Sequence, residues 1–139
     1  MDPEDAALLR CRLHIRGGRI LLDHHKITHA LGTLFDALDH GLQWYLLVHL
    51  HLEPEDLPPD IIGRYRLLQE SGISLPESFN IVKFEQDMET ALDLDHEPDL
   101  DVEELWLQLK SIFLIFGIMP FELEISPEDD PRTREVLGL

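Results

Sequence analysis

The chain has few of the residues that mark redox, membrane or secreted proteins. It contains one cysteine, Cys11, which excludes an intramolecular disulfide and any CxxC pair, and a reducing, cytoplasmic location is therefore expected. The longest apolar run, residues 111–121, is too short to span a bilayer, which takes roughly 18–20 residues. The first residues, MDPEDAALLRC, are acidic where an export signal is basic, so we expect neither membrane insertion nor export.

Basic residues are also scarce. Lys and Arg number 11 against 28 Asp and Glu, which gives a net charge of −17 at pH 7. Five of the basic residues lie within residues 1–26, and the remainder of the chain is strongly acidic. Such a field repels DNA, RNA and anionic membranes, so nucleic acid is not an expected partner, and the acidity is best explained as a means of solubility.

Motifs that carry catalysis are missing as well. The sequence has no Gly-rich phosphate loop, no GxSxG and no HExxH. Cys11 lies among arginines and three residues before His14, but no third group that would orient the imidazole is evident. Cys11 is therefore interpreted as a structural residue. We predict no catalytic residue and no cofactor.

Helical periodicity, in contrast, runs through most of the chain. Apolar residues make up 44% of the sequence, enough for a packed core. The spacing predicts helices over about 4–16, 19–50, 59–70, 76–92 and 102–118, and adjacent Gly17 and Gly18 are predicted to end the first. Capping boxes at Ser74–Glu77 and Asp101–Glu104 mark the last two starts. We predict one all-α domain, residues 1–139, a four- or five-helix bundle with an extended tail over residues 120–139.

One polar stripe on the long second helix suggests an alternative function. It consists of His25, His29, Asp36 and His40, which fall within about 60° of one another on a helical wheel. Bundle proteins build divalent-metal sites from such side chains, with further ligands from a second helix. No other segment offers a matching His or Glu pair, so solvent or a partner chain is the expected neighbour of the stripe.

The acidic segment from residue 93 to residue 104 offers a second metal hypothesis, because it resembles the calcium-binding loop of EF-hand proteins. Carboxylates stand at the ligand positions of such a loop: Asp93, Asp95, Glu97, Asp99, Asp101 and Glu104. Position 6 of the loop requires a glycine turn, however, and Pro98 stands there. A solvated acidic loop that caps the following helix is the preferred interpretation.

The layout of the chain is similar to that of HEPN-domain proteins. A short helix, a Gly-containing joint and a long helix are carried by PEDAALLRCRLHIRGGRILLDHHKITHALGTLFDAL, and the acidic ALDLDHEPDLD precedes an apolar helix. The resemblance implies a dimeric helical bundle. Many HEPN ribonucleases carry Arg followed four to six residues later by His near the last helix. Here Arg19 and His24 have that spacing but lie elsewhere in the chain, which argues against the ribonuclease alternative.

The last long helix is the predicted interface. Its second half, SIFLIFGIM, is apolar in nearly every direction, and a small domain has few helices with which to surround it. We therefore expect pairing with a second copy or another protein chain through a surface of five residues: Trp106, Phe113, Leu114, Phe116 and Ile118. The sequence thus favours a non-enzymatic acidic interaction module, with a metal-binding bundle and a HEPN-type ribonuclease as alternatives.

Overall fold

The structure, a computed structural model, describes residues 2–94 and 100–121. Within these ranges the chain forms five α-helices and no strand, which confirms the predicted all-α class. The helices are α1 (Pro3–Asp23), α2 (Ile27–His49), α3 (Ile61–Glu70), α4 (Ile81–Leu94) and α5 (Val102–Phe116), with a short 3-10 turn at Pro54–Asp56. The predicted tail beyond Phe121 lies outside the described residues. No described helix combines the length and the apolar character needed to cross a membrane.

Helices α1 and α2 form an antiparallel hairpin that is the centre of the fold. Cys11 faces Gly41 near one end and Gly18 faces Leu34 near the other, so chain positions run in opposite directions along the contact. Eight residues of α2 are buried: Ala30, Leu31, Leu34, Ala37, Leu38, Gly41, Leu42 and Leu46. Their spacing of three and four residues is the apolar stripe that the sequence predicted.

The two glycines at positions 17 and 18 do not end the first helix, so that prediction is wrong. Both lie buried inside α1, which continues to Asp23. Glycine costs about 1 kcal/mol relative to alanine inside a helix, but a Cβ atom on Gly18 would stand 2.5 Å from Leu34 Cδ2. The glycine therefore allows α2 to approach α1 closely, and the helix tolerates its poor propensity because the interface requires the space.

The joint between the two helices lies instead at residues 24–26. The His25 amide donates to Leu22 O and the Lys26 amide to Leu21 O, and His25 has a left-handed φ of 58°. This pair of hydrogen bonds is the Schellman arrangement that closes many helices, in which glycine usually occupies the left-handed position. The second helix consequently begins at Ile27 and not at residue 19 as predicted.

The later helices begin at capping residues, and one of these differs from the prediction. Asp60 accepts a hydrogen bond from the Gly63 amide, and Asp101 accepts from the amides of Glu103 and Glu104, as its capping box indicated. Helix α4 begins at Ile81, where the Asn80 side chain accepts from the Lys83 amide. The Ser74–Glu77 box is therefore not used, and residues 74–80 are not helical.

Helices α3, α4 and α5 complete one hydrophobic core around the hairpin. The largest fully buried side chains include Tyr65 of α3 and Phe113 of α5. Gly41 marks the point where α1, α2 and α5 converge, since a Cβ atom there would lie 3.1 Å from Cys11 Sγ and 3.3 Å from Ile118 Cδ1. Gly117, with φ of 80°, ends α5 and turns the chain so that Ile118 enters this core.

The Gly18–Leu34 contact generates a stability prediction. Gly18→Ala is expected to destabilise the protein by about 1–3 kcal/mol, because its methyl group would overlap the buried Leu34 side chain. Helix propensity alone predicts the opposite sign. Urea unfolding followed by circular dichroism measures the difference.

A double variant provides the control. In the background of Leu34→Ala, which removes the overlapping atoms, Gly18→Ala should cost much less or even stabilise the helix. A Gly18→Ala protein as stable as the parent would contradict the inferred close approach of the two helices.

Candidate functional site

The solvent side of α5 carries the largest exposed apolar side chains of the helix. Leu107 is 58% exposed, Leu114 47% and Ile115 40%, and at 100° per residue they fall within about 100° of one another. We call this the α5 outward face, which comprises Glu103, Glu104, Leu107, Gln108, Lys110, Ser111, Leu114 and Ile115. All eight side chains lie opposite the buried half of the helix.

The predicted interface residues divide between this face and the core. Leu114 belongs to the outward face, whereas Trp106, Phe113, Phe116 and Ile118 are at most 7% exposed and pack inside the chain. The aromatic anchors named from the sequence are therefore core residues in this chain. Leu107 and Ile115 are the apolar residues of the outward face that the predicted set missed. Their position opposite the main apolar stripe was the available signal.

Charged residues flank the apolar part of the outward face. Glu103 accepts hydrogen bonds of 3.3 and 3.4 Å from Arg19 of α1, and the Arg19 guanidinium lies 5.2 Å from the centre of the Trp106 ring. Lys110, seven residues after Glu103, is exposed and has no ion-pair partner among the described residues. Seven residues is about two helical turns, so Glu103 and Lys110 lie along the same edge of the face.

A cluster of histidine and acidic side chains lies between α1 and α2. His14 is buried, its Nδ1–H donates to Arg10 O at 2.7 Å, and its ring centre lies 5.3 Å from that of His40. The Nε2 atom of His14 lies 4.0 Å from an oxygen of Asp36. Because a carbonyl oxygen can only accept, the short bond to Arg10 leaves Nε2 as the acceptor of the neutral ring. We call His14, Asp36 and His40 the histidine cluster.

Burial and neighbouring charges shift two groups of this cluster. Desolvation, followed by the electrostatic influence of His14, lowers the pKa of His40 from 6.5 to about 4. Desolvation also raises the pKa of Asp36, against a lowering influence of His14. Asp39, one residue before His40, is in contrast held by Arg64 of α3 and by Gln43 at 3.4 Å. His40 is therefore neutral at pH 7 and packs against the His14 ring.

A groove of about 420 Å³ opens beside this cluster, between α1, α2 and α4. We call it the α2 groove; it is lined by His14, His29, Gly32, Thr33, Phe35, Asp36, Met88 and Leu92. Its lining combines polar side chains such as His14 and Asp36 with apolar ones such as Phe35 and Met88, and Leu92 is 54% exposed. Pockets of roughly 300–1,000 Å³ that combine an apolar wall with a few polar groups are typical of small-ligand sites.

The histidine–aspartate stripe predicted from the sequence is not assembled as a metal centre. His25 lies in the turn before α2, His29 and Asp36 line the α2 groove, and His40 packs against His14. Throughout residues 2–94 and 100–121, no three His, Cys, Asp or Glu side chains form a group that could hold a metal ion. The helix break at His25 removes the continuous helix on which that prediction depended.

The EF-hand-like segment is described only at its ends. Asp93 lies in α4, Asp101 caps α5 and Glu104 is exposed in its first turn, whereas Asp95, Glu97 and Asp99 lie outside the described residues. Both described carboxylates near α5 therefore have a structural explanation at a helix N-terminus.

The remaining sequence candidates for chemistry are Cys11, Arg19 and His24. Cys11 is fully buried, and desolvation raises its pKa far above that of a reactive thiol, in spite of the lowering influence of Arg12. Arg19 is engaged with Asp23, Glu103 and the Trp106 ring, while His24 is exposed at the end of α1.

Comparison with protein-family models, with curated proteins and with solved structures finds no match to this chain. Its function must therefore be argued from the α5 outward face and from the histidine cluster with its groove.

The lowered pKa of His40 predicts a pH-dependent stability. The unfolded chain binds a proton at His40 near pH 6.5, whereas the folded chain does so only near pH 4. The stabilisation from neutral His40 is therefore complete above pH 6.5 and is lost as pH falls from about 6.5 to about 4. We expect a loss of about 1–2 kcal/mol, since screening at this partly exposed site reduces the full value.

His40→Gln isolates this contribution, because the glutamine does not titrate. The raised pKa of Asp36 changes stability with pH in the opposite direction. Asp36 is present in both proteins, so its contribution to the free energy of unfolding cancels when the two are compared. Urea unfolding at pH 7.5 and pH 4.5 measures how much free energy of unfolding the parent and the variant each lose between the two pH values. If parent and variant lose equal stability between these values, the depressed pKa of His40 is wrong.

Proposed function

We propose that this protein is a non-enzymatic interaction module whose α5 outward face pairs with a second copy of the chain. The observation that supports it is the exposure of Leu107, Leu114 and Ile115 on one side of one helix. Isolated exposed leucines are ordinary, but three large apolar side chains grouped on a face are typical of an interface. A dimeric helical bundle is also what the HEPN-like layout implies.

Charge explains why a second copy is the favoured partner. Leu107 lies about midway between Glu103 and Lys110, which share one edge of the face. In an antiparallel pair with its twofold axis at Leu107, Lys110 of each copy stands opposite Glu103 of the other. Ser111 stands opposite Glu104 along the second edge by the same symmetry. The face therefore complements itself, as an isologous interface must.

The net charge of −17 opposes any such pairing. Repulsion between exposed charges is screened within about 8–10 Å at physiological salt, however. The antiparallel arrangement brings Lys110 of each copy beside Glu103 of the other, which offsets part of the charge of the four Glu103 and Glu104 carboxylates at the contact. The Lys110–Glu103 pairs set orientation and the leucines supply the burial.

The alternative functions have less support from the described residues. A metal site would need ligands that residues 2–94 and 100–121 do not bring together. A ribonuclease site built on Arg19 and His24 would need an available guanidinium, and Arg19 is engaged with two carboxylates and an aromatic ring.

Pairing is tested first by mass. Multi-angle light scattering at micromolar concentration should give about 32 kDa for the parent, twice the 16.1 kDa chain. Leu107→Arg should give the monomer mass with an unchanged helix content, because the twofold axis would place the two introduced cations against each other. Leu92→Arg, which changes an equally exposed leucine of α4, is the matched control and should remain dimeric. A monomeric parent protein in both low and high salt would refute the pairing.

The proposed register is tested by cross-linking. A residue on the twofold axis meets its own copy, so Leu107→Cys should form an intermolecular disulfide on mild oxidation. Leu114→Cys lies about 10 Å along the helix from the axis and about 20 Å from its copy, so it should not cross-link. Cys11 is buried and does not interfere. Efficient cross-linking of Leu114→Cys with none at Leu107→Cys would exclude the antiparallel register.

A further inference from the structure

The α2 groove contains a glycine that the fold does not explain. Gly32 lies inside α2, where glycine weakens a helix, and a Cβ atom built on it would meet nothing within 4 Å. Gly18 and Gly41 are different, since a Cβ atom at either would contact Leu34 or Cys11 within 3.1 Å. Packing accounts for those two glycines, whereas Gly32 leaves open space on the lining of the groove.

The lining of the same groove places two acceptors side by side when the His14 ring is neutral. Asp36 Oδ2 and His14 Nε2 lie 4.0 Å apart, and the His14 Nδ1–H is already bonded to Arg10 O. Among the described residues no Lys or Arg pairs with Asp36, although its neighbour Asp39 is held by Arg64. A nitrogen placed about 2.8 Å from both acceptors would satisfy each with an N–H donor.

The apolar residues of the lining indicate what such a donor would be attached to. Phe35, Met88 and Leu92 contribute large apolar side chains to the groove, and Leu92 is 54% exposed. Burial of these side chains against a ligand would remove apolar surface from water. The donor is therefore expected to be the charged end of a molecule whose remainder is apolar.

We infer that the α2 groove binds a small organic cation, an ammonium group carried on an apolar body. The ammonium bridges Asp36 and His14 with two of its three donors, Thr33 offers a hydroxyl for the third, and the apolar body lies along Phe35, Met88 and Leu92 over the open backbone of Gly32. The net charge of −17 favours the approach of a cation. This site shares no residue with the α5 outward face and does not depend on the proposed pairing.

Benzylammonium is a suitable probe, with benzyl alcohol and benzoate as its neutral and anionic counterparts. Titration of the full chain at pH 7.5, followed by ¹H–¹⁵N NMR, should shift the amides of Gly32, Thr33 and Asp36. A ligand of this size should bind with a Kd of about 1 mM. Benzyl alcohol should bind at least about tenfold more weakly and benzoate not measurably. Equal shifts with all three molecules, or shifts confined to other helices, would overturn the inference.

Three variants separate recognition from folding. Asp36→Asn should weaken benzylammonium binding about tenfold and leave benzyl alcohol unchanged; Glu70→Gln removes the same charge from α3, outside the groove, and should have no such effect. Gly32→Leu should fill the groove and abolish binding. Gly32→Ala should raise Tm by about 3 °C, because a methyl group there meets open space. A lower Tm for Gly32→Ala would show that the fold itself requires this glycine and would remove the argument.

The protonation state of the His14 ring is the last quantity that tests the inference. The proposed bridge requires a neutral ring with its proton on Nδ1 in the free protein at pH 7.5. Imidazole ¹⁵N shifts report this directly. A doubly protonated His14, paired with Asp36 as an ion pair, would leave no acceptor for an ammonium group and would overturn the inference.

Discussion

The close contact between Gly18 and Leu34 is the constraint on which the rest of the structure depends. It lets α1 and α2 approach near their joint, and the hairpin then holds Cys11 against Gly41 at its other end. The short distance between α1 and α2 places His14 beside His40 and Asp36. The same hairpin receives Ile118 and Phe113 of the α5 segment at Gly41. A bulkier residue at position 18 would separate the helices and disturb the core and the histidine cluster together.

The all-α class and the helix that buries each apolar stripe could be predicted from periodicity, whereas the joint of the hairpin could not. Gly17 and Gly18 have the composition of a helix stop, but tertiary packing uses them as a contact surface. The true stop is at His25, which adopts a left-handed φ without the glycine or asparagine that usually marks it. Likewise, the Ser74–Glu77 box has a good capping pattern, but Asn80, six residues after Ser74, caps α4 instead. Local sequence patterns mark where a helix is able to begin or end, and tertiary packing determines which of these positions is used.

The candidate sites likewise include one that the sequence pattern could indicate and one that only packing determines. The outward face of α5 could be predicted from the sequence, because Leu107, Leu114 and Ile115 lie off the main apolar stripe. The predicted interface relied instead on three aromatic residues, Trp106, Phe113 and Phe116, which are core residues. The histidine cluster was out of reach, since it joins residues from two helices whose relative rotation is set by the Gly18 contact. In the sequence, His14 stands near a possible chemical partner only at Cys11, three residues before it. Contacts between elements depend on side-chain packing that no single periodic pattern contains.

Electrostatics links the two proposed sites. A chain with 28 acidic and 11 basic residues gains more from each well-placed cation than from another carboxylate. In the proposed dimer the cation at the outward face is Lys110 of the partner copy; in the α2 groove no Lys or Arg among the described residues pairs with Asp36, and the proposed ligand would supply the cation. Asp39 differs from Asp36, because Arg64 of the same chain already neutralises its charge. Within the described ranges, Asp39, Asp23 and Asp87 have Arg or Lys partners from the chain itself, whereas Asp36 has only His14 beside it and is the carboxylate of the groove at which the proposed cation would bind.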